Sequence, residues 1–123
     1  MRKTAVKRRK TPVETFENSF PGRDYTITIT NPEYTSVCPR TGLPDFGTVT
    51  VTYVPDTWCL ELKSLKYYFL TYRERGIFYE EAMNRILDDL VASCMPKKME
   101  VMAEFRTRGG MHSLVKTSYT KRG

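Results

Sequence analysis

The hydrophobic pattern begins with period two, which is typical of strands. Aromatic or β-branched residues alternate with threonine over residues 23–30, and the Asn-Pro-Glu run at 31–33 is expected to stop this first strand. Alternation resumes over residues 46–54, and Pro55-Asp56 marks a turn. Between the two strands, residues 34–45 are predicted to be irregular because Pro39, Gly42 and Pro44 interrupt any regular element.

From Glu61 the hydrophobic period lengthens to that of a helix. One apolar stripe predicts a helix that ends at Gly76, and a second stripe, which recurs every four residues from Phe78 to Cys94, predicts a longer helix that stops at Pro96. The members of the first stripe are Leu62, Leu65, Phe69 and Tyr72. Residues 98–108 and 111–119 are predicted to be two closing strands, joined by a hairpin turn at Gly109-Gly110.

The predicted order ββααββ is that of an α+β domain, with two helices on one face of a four-stranded antiparallel sheet. Residues 13–119 are predicted to form this single domain, residues 1–12 a basic disordered tail and residues 120–123 a short C-terminal tail. A sheet of this size has open edges that must be covered or paired, which ring-like assembly of several copies would achieve.

Composition and charge narrow the class of protein. The chain of 123 residues has 40% hydrophobic residues and no apolar run of the roughly 20 residues needed to cross a bilayer. Its start lacks the apolar stretch of a secretory signal, so we expect a cytoplasmic protein. The net charge of +6 is matched by six basic residues within 1–12, so the folded part is not a basic body. A solvated tail is favoured over an RNA-contacting arm, and nucleic acid is not an expected partner.

Three cysteines, Cys38, Cys59 and Cys94, form an odd set, which argues against a disulfide framework. No Cys-x-x-Cys pair is present, and the spacing of the cysteines and of His112 is not that of a ligand set, so no metal is predicted.

The most informative segment is the proline-containing loop between the first two strands. It carries Cys38, and seven residues later Asp45 stands at the start of the next strand, where the intervening turn can bring its carboxylate back toward the thiol. A reactive thiol with an acid–base partner is one interpretation. A buried loop cysteine with a turn-capping aspartate is the other.

The run Cys-Pro-Arg-Thr-Gly-Leu-Pro-Asp at 38–45 and the octet Glu-Leu-Lys-Ser-Leu-Lys-Tyr-Tyr at 61–68 closely resemble the QueF family of nitrile reductases. The likeness extends from about residue 25 to residue 110 and includes Phe-Tyr-Glu at 78–80 and Arg-Gly-Gly at 108–110. The resemblance implies reduction of 7-cyano-7-deazaguanine to 7-aminomethyl-7-deazaguanine, with NADPH, in queuosine biosynthesis. It also implies the tunnelling fold and homo-oligomers, commonly stacked pentameric rings, with active sites between subunits.

The resemblance assigns roles to individual residues. Cys38 would add to the nitrile carbon to give a covalent thioimide, and Asp45 would be the general acid–base. Glu80 would hold the deazaguanine through its N–H groups. Tyr79 departs from the family, because many relatives have histidine there, so a proton relay at this position is in question. Glu61 matches an acid near the substrate pocket.

The cofactor residues implied by the resemblance are Lys63 and Lys66, on the first helix, and Arg108, each as a contact for the phosphates of NADPH. Cations near a helix N-terminus are disfavoured unless an anion neutralises them, which agrees with a bound phosphate. No Gly-x-Gly-x-x-Gly sequence follows a strand, so a Rossmann dinucleotide site is not predicted.

Three other functions remain open at this point. A relative of the same fold that forms an amidine on transfer RNA would keep the thioimide, but such relatives lack the octet that contains Lys63 and Lys66. A cyclohydrolase of the tunnelling fold would use metal or histidine clusters, and His112 is the only histidine. A small RNA-binding protein would leave the segment from Cys38 to Asp45 unexplained.

Overall fold

The computed structural model describes residues 10–122, except for the side chain of Arg108. Most of the predicted basic tail, residues 1–9, and the last residue of the predicted C-terminal tail therefore lie outside the described residues. The elements within them are β1 (Thr15–Glu17), β2 (Ile27–Val37), β3 (Pro44–Val54), β4 (Trp58–Leu60), α1 (Leu62–Leu70), α2 (Tyr79–Cys94), β5 (Lys98–Arg108) and β6 (Met111–Thr120).

The main sheet has four antiparallel strands in the order β2-β3-β5-β6, which confirms the predicted ββααββ arrangement. The strands β1 and β4 form a separate two-stranded sheet that was not predicted. The β5–β6 turn has the predicted form, because Gly109 and Gly110 both adopt positive φ, at 58° and 79°.

The expected end of the first strand at residues 31–33 was wrong. Strand β2 continues through this run by a bulge between Asn31 and Tyr34, where the side-chain oxygen of Asn31 accepts a hydrogen bond from the backbone N–H of Glu33 at 2.9 Å. The missing N–H of Pro32 is tolerated because β2 is an edge strand. The irregular segment is consequently shorter than the predicted 34–45 and covers residues 38–43.

The first helix is also shorter than predicted, since α1 ends at Leu70 rather than at Gly76. The chain then tightens into turns in which Tyr72 N–H donates to the carbonyl of Phe69 at 3.1 Å. Tyr72 is nevertheless buried, as the stripe predicted, whereas Leu62 is 59% exposed and does not belong to the core.

The core lies between α2 and the inner face of the sheet. One face of α2 is buried and packs against β5 and β6, and alternate residues of β3 and β5 face it. Full burial of a side chain such as leucine, isoleucine or methionine stabilises the fold by roughly 1.5–3 kcal/mol. The buried positions of α2 are Ala82, Met83, Ile86, Leu87, Leu90, Ser93 and Cys94. Neither helix, over residues 10–122, has the length and apolarity needed to cross a membrane.

Candidate active site

The loop between β2 and β3 is closed by its own backbone. The N–H of Cys38 donates to the carbonyl of Leu43 at 2.9 Å, and the N–H of Gly42 donates to the carbonyl of Cys38 at 2.8 Å. Gly42 has φ of 73°, a conformation that favours glycine. On its other side the strand end is held by Gly76, which forms a parallel bridge with Val37. The thiol of Cys38 is therefore held, half-exposed, on a short and well-braced loop.

The same loop stabilises the thiolate. The hydroxyl of Thr41, followed by the backbone N–H groups of Thr41 and Arg40, lowers the pKa of Cys38, whereas partial burial and the charge of Asp45 oppose this shift. From the sequence, Arg40 is one possible source of this stabilisation, although the direction of its side chain is not specified there. The largest contribution comes instead from Thr41, whose hydroxyl sequence reasoning missed.

Asp45 occupies a core-facing position at the start of β3. The residues that share its face of the strand include Val49 and Val51, so the alternation of the strand directs a carboxylate inward, and Asp45 is only 6% exposed. In the register of the sheet Asp45 lies opposite Ser36 of β2. Of the alternative interpretation, the buried loop cysteine is wrong, because Cys38 is half-exposed.

Four of the predicted site residues, Cys38, Asp45, Tyr79 and Glu80, line one cavity of about 300 Å³. Its remaining lining residues are mostly aromatic or apolar: Phe46, Phe78, Phe105, Arg106, Met111 and Ser113. A flat heteroaromatic ring matches the size and the walls of such a cavity.

Tyr79 forms a wall of this cavity. Its ring stacks on Phe105 with centroids 3.9 Å apart and an angle of 17° between the planes, and its hydroxyl donates to Ser113 Oγ at 2.9 Å. Phe105 and Ser113 were not predicted as site residues. Gly47, a glycine inside a strand, was the available signal for Phe105, because a Cβ there would lie 2.7 Å from its ring.

Glu80 and Glu81 are adjacent on α2 but have different surroundings. Glu80 lines the cavity, whereas Glu81 forms an exposed ion pair with Arg85 at 3.0 Å. Both lie in the first turn of α2, where the helix dipole favours a negative charge. Glu80 is exposed like its neighbour, and what distinguishes it from Glu81 is that it lines the cavity that also contains Cys38.

The remaining predicted residues lie elsewhere. Glu61 is the N-cap of α1, where its carboxylate accepts hydrogen bonds from the backbone N–H groups of Ser64 at 2.7 Å and Lys63 at 3.0 Å, and these bonds lower its pKa. Lys66 lines a different cavity, of about 340 Å³, together with Arg73. The side chain of Arg108 lies outside the described part of the structure.

No group of three or more His, Cys, Asp or Glu side chains within residues 10–122 is arranged to hold a metal ion. Cys59 and Cys94 are buried. His112 pairs with Glu104 at 3.0 Å, and both side chains are exposed.

Comparison with known proteins identifies the family of the chain. Residues 44–123 match the family model described as QueF-like protein. A protein of Chlorobaculum tepidum named NADPH-dependent 7-cyano-7-deazaguanine reductase is 63% identical over 109 residues, which cover 89% of this chain and 93% of the relative. A protein of the same name from Pelodictyon phaeoclathratiforme is 59% identical and covers 92% of this chain and 97% of its own.

A solved structure gives independent support for the fold. The archaeosine synthase QueF-Like in its apo form superimposes with a TM-score of 0.73 at 23% identity, covering 80% of this chain and 96% of the other. At this identity the likeness concerns the fold alone. The extent and identity of the sequence matches, in contrast, establish descent, and the chain belongs to the QueF family.

Proposed function

We propose that this protein reduces the nitrile of 7-cyano-7-deazaguanine to an aminomethyl group with NADPH, as a step in queuosine biosynthesis. One observation carries the proposal: three groups of suitable chemistry line the same cavity. They are the Cys38 thiol, whose pKa is lowered, the buried carboxyl group of Asp45 and the exposed carboxylate of Glu80. The close relatives named as reductases of this nitrile support the choice of substrate.

The first step is addition of the Cys38 thiolate to the nitrile carbon. A sulfur–carbon bond forms, one π bond of the nitrile breaks, and its electron pair moves to nitrogen. The Asp45 carboxylate takes the proton of the Cys38 thiol as the thiolate forms and passes it to this nitrogen. The product is a neutral thioimide attached to Cys38. The loop donors centred on Thr41 favour the reactive thiolate at neutral pH.

When bound, NADPH supplies a hydride for each of the two reductions that separate a nitrile from an amine. Cys38 is the leaving group after the first of these, and Asp45 moves the proton that accompanies its departure. Departure of Cys38 leaves an imine in the cavity. The aromatic walls formed by Phe46, Phe78 and Phe105 protect this imine from water.

Glu80 is proposed to orient the substrate. A carboxylate accepts two parallel hydrogen bonds from the ring N–H and the exocyclic amine of a guanine-like edge. The phenol of Tyr79 is committed to Ser113, so we assign Tyr79 to the cavity wall and no proton transfer to it. The proposed role accounts for tyrosine where many relatives have histidine, because a wall position needs an aromatic ring and not a titrating group.

Lys63 and Lys66 are proposed to hold the phosphates of NADPH, with Arg108 as a further contact. The first turn of α1 contains no acidic residue, and the cavity that contains Lys66 is lined by one further cation, Arg73, and one acid, Glu33. The excess of positive charge fits an anion. Because Glu61 already occupies the N–H groups of Lys63 and Ser64, the side chains rather than the helix N-terminus would bind the phosphates.

Lys66 of α1 and Cys38 line different cavities of one chain. We therefore propose that a neighbouring copy of the chain supplies the octet at 61–68, in which Glu61 contacts the substrate. The copies would form a ring in which the edge strand β2 of one subunit pairs with the edge strand β6 of the next. Stacked pentamers are the expected assembly, which sedimentation analysis measures directly. The cytoplasm is the proposed compartment, because its reducing poise keeps the Cys38 thiol free.

A direct test mixes the protein with 7-cyano-7-deazaguanine in the absence of NADPH. The wild type should gain the mass of one nitrile per chain and a new near-ultraviolet absorbance. Cys38→Ala should gain neither. Cys94→Ala, which removes a buried thiol, should behave as the wild type. A wild type that forms no adduct, or an adduct that survives in Cys38→Ala, refutes the mechanism.

The second candidate, an amidine synthase, rests on the fold that the chain shares with the archaeosine synthase QueF-Like. Nitrile-dependent oxidation of NADPH separates the two activities. Consumption of two NADPH per nitrile supports the reductase, and adduct formation followed by transfer of ammonia with no NADPH consumed supports the synthase.

A further inference from the structure

Two buried hydroxyl groups lie beside the site without a hydrogen-bond partner among the described residues. They belong to Tyr34, which is 1% exposed, and to Ser36, which is fully buried. A buried polar group without a partner is costly, and nearly all such groups in native proteins are paired. A third such hydroxyl, that of Thr35, belongs to the other face of β2. The two that share a face with the buried carboxyl group of Asp45 are the ones that concern the site.

The register of the sheet places both hydroxyls on the side of Asp45. Ser36 lies directly opposite Asp45, and Tyr34 lies two residues earlier on the same face of β2, opposite Gly47. Residues directly opposite in an antiparallel pair have Cβ atoms about 4.5–5.5 Å apart. The Ser36 hydroxyl is thus within one side-chain rotation of the Asp45 carboxylate.

Both hydroxyls are donors at neutral pH. Burial, with a smaller contribution from the negative charge of Asp45, raises the pKa of Tyr34 to about 12, while the neighbouring Ser36 hydroxyl and Arg75 oppose the shift. Tyr34 therefore keeps its proton. Its ring is fixed against Tyr72, with centroids 5.9 Å apart, and against Phe105 at 6.1 Å, so its hydroxyl has a defined position.

We propose that Tyr34 and Ser36 are positioning residues for Asp45, whose carboxylate their hydroxyl groups hold toward Cys38 during the reaction. The inference rests on the proposed function in that Asp45 acts as the acid–base group there. Neither residue lines the cavity that contains Cys38, so each acts through Asp45 and not on the nitrile. Tyr34 does line the cavity that contains Lys66, and the assays below therefore contain no NADPH.

Other charged or titratable groups also face this site and stay in place in the variants below. They come from each element around it: Glu80 and Tyr79 on α2, Arg106 on β5 and Arg75 in the segment after α1. His112 of β6 does not line the cavity and pairs with Glu104. Any change on removal of a hydroxyl is therefore attributed to the pair formed by that hydroxyl and Asp45.

The variants Ser36→Ala and Tyr34→Phe each remove one hydroxyl with little change in shape. Thr35→Val is the matched control, since the Thr35 hydroxyl is also buried and without a partner but points to the other face of β2. We expect Ser36→Ala and Tyr34→Phe to slow formation of the nitrile adduct about tenfold, with nitrile affinity within about twofold of wild type, and Thr35→Val to match wild type.

A double-mutant cycle shows whether the effect passes through Asp45. In an Asp45→Asn background, Ser36→Ala should cause no further loss, because the group that it positions is already changed. The same fractional loss in both backgrounds, or a loss as large in Thr35→Val, overturns the proposal.

Alkylation of Cys38 by iodoacetamide tests the positioning without any nitrile. Cys59 and Cys94 are buried, so the pH midpoint of alkylation reports Cys38. Because the Asp45 charge raises the pKa of Cys38, Asp45→Asn should move the midpoint to lower pH, and Ser36→Ala and Tyr34→Phe should move it in the same direction. Thr35→Val should leave it unchanged.

The two measurements separate the two ideas. A wild type that forms no nitrile adduct, combined with shifted midpoints, refutes the proposed function and supports the positioning of Asp45. Midpoints equal to wild type in both Ser36→Ala and Tyr34→Phe refute the positioning, whatever the adduct shows.

Discussion

Replacing Gly47 by alanine would act on the cavity wall from inside the sheet. Gly47 lies opposite Phe105 in the pairing of β3 with β5. A Cβ at this position would stand 2.7 and 2.9 Å from two carbons of the Phe105 ring and 3.0 Å from the backbone carbonyl oxygen of Glu104. The carbonyl belongs to the sheet ladder and cannot retreat, so the Phe105 ring must move.

The size of the effect follows from what Phe105 contacts. Phe105 is buried, stacks on Tyr79 and packs edge-on against Tyr34. Overpacking of this kind costs about 1–3 kcal/mol, and each aromatic pair that is disturbed adds about 0.5–1.5 kcal/mol. We expect Gly47→Ala to lower Tm by at least about 4 °C and to slow formation of the Cys38 adduct.

Thermal unfolding and the rate of adduct formation measure the two effects. Gly22→Ala is the matched control, because no atom lies within 4 Å of its added Cβ. Combining Gly47→Ala with Phe105→Leu, which removes part of the ring, should destabilise by less than the sum of the single changes. The reasoning is refuted by a Gly47→Ala protein whose Tm and adduct rate equal those of Gly22→Ala.

Three further predictions concern the loop, the N-cap and the octet. Thr41→Val removes the hydroxyl that most lowers the pKa of Cys38, so the pH midpoint of Cys38 alkylation should move to higher pH. Glu61→Gln should lower Tm at pH 7, and the difference from wild type should shrink as pH falls below about 4.3, because a carboxylate of depressed pKa stabilises the fold only while ionised. Lys66→Ala should raise KM for NADPH about tenfold and leave adduct formation unchanged, as expected for loss of a phosphate contact.

Each of these three changes has a control that keeps one feature. Thr41→Ser retains the hydroxyl and should keep the wild-type midpoint. Glu33→Gln removes an exposed acid away from any helix end, and its Tm should follow that of the wild type as the pH is lowered. Lys116→Ala removes an exposed cation of β6, and a rise in KM equal to that of Lys66→Ala would contradict a specific phosphate contact.

Local patterns were sufficient for the elements whose signal is contained in one segment. The long helix α2, the strands β5 and β6 and their Gly109-Gly110 turn agree with the periodicity because each uses neighbours close in sequence. The two-stranded sheet of β1 and β4 had no such signal. Its strands have three residues each, and Thr15 pairs with Leu60, far along the chain.

The expected strand end at residues 31–33 failed for a related reason. Proline and the following polar residue are strand breakers inside a sheet but are tolerated on an edge, and only the strand order shows that β2 is an edge. Likewise, α1 ends before Gly76, since hydrogen bonds to residues three positions back replace those of the α-helix after Leu70.

By itself, the sequence determined the family resemblance and the pair formed by Cys38 and Asp45. The motif consists of residue types at a fixed spacing, and both can be read without knowledge of the fold. The tertiary structure decided what surrounds them. Strand register placed Ser36 against Asp45 and Gly47 against Phe105. The packing of α2 brought Tyr79 and Glu80 to the cavity that contains Cys38. These contacts join segments that are distant along the chain, and no local pattern specifies them.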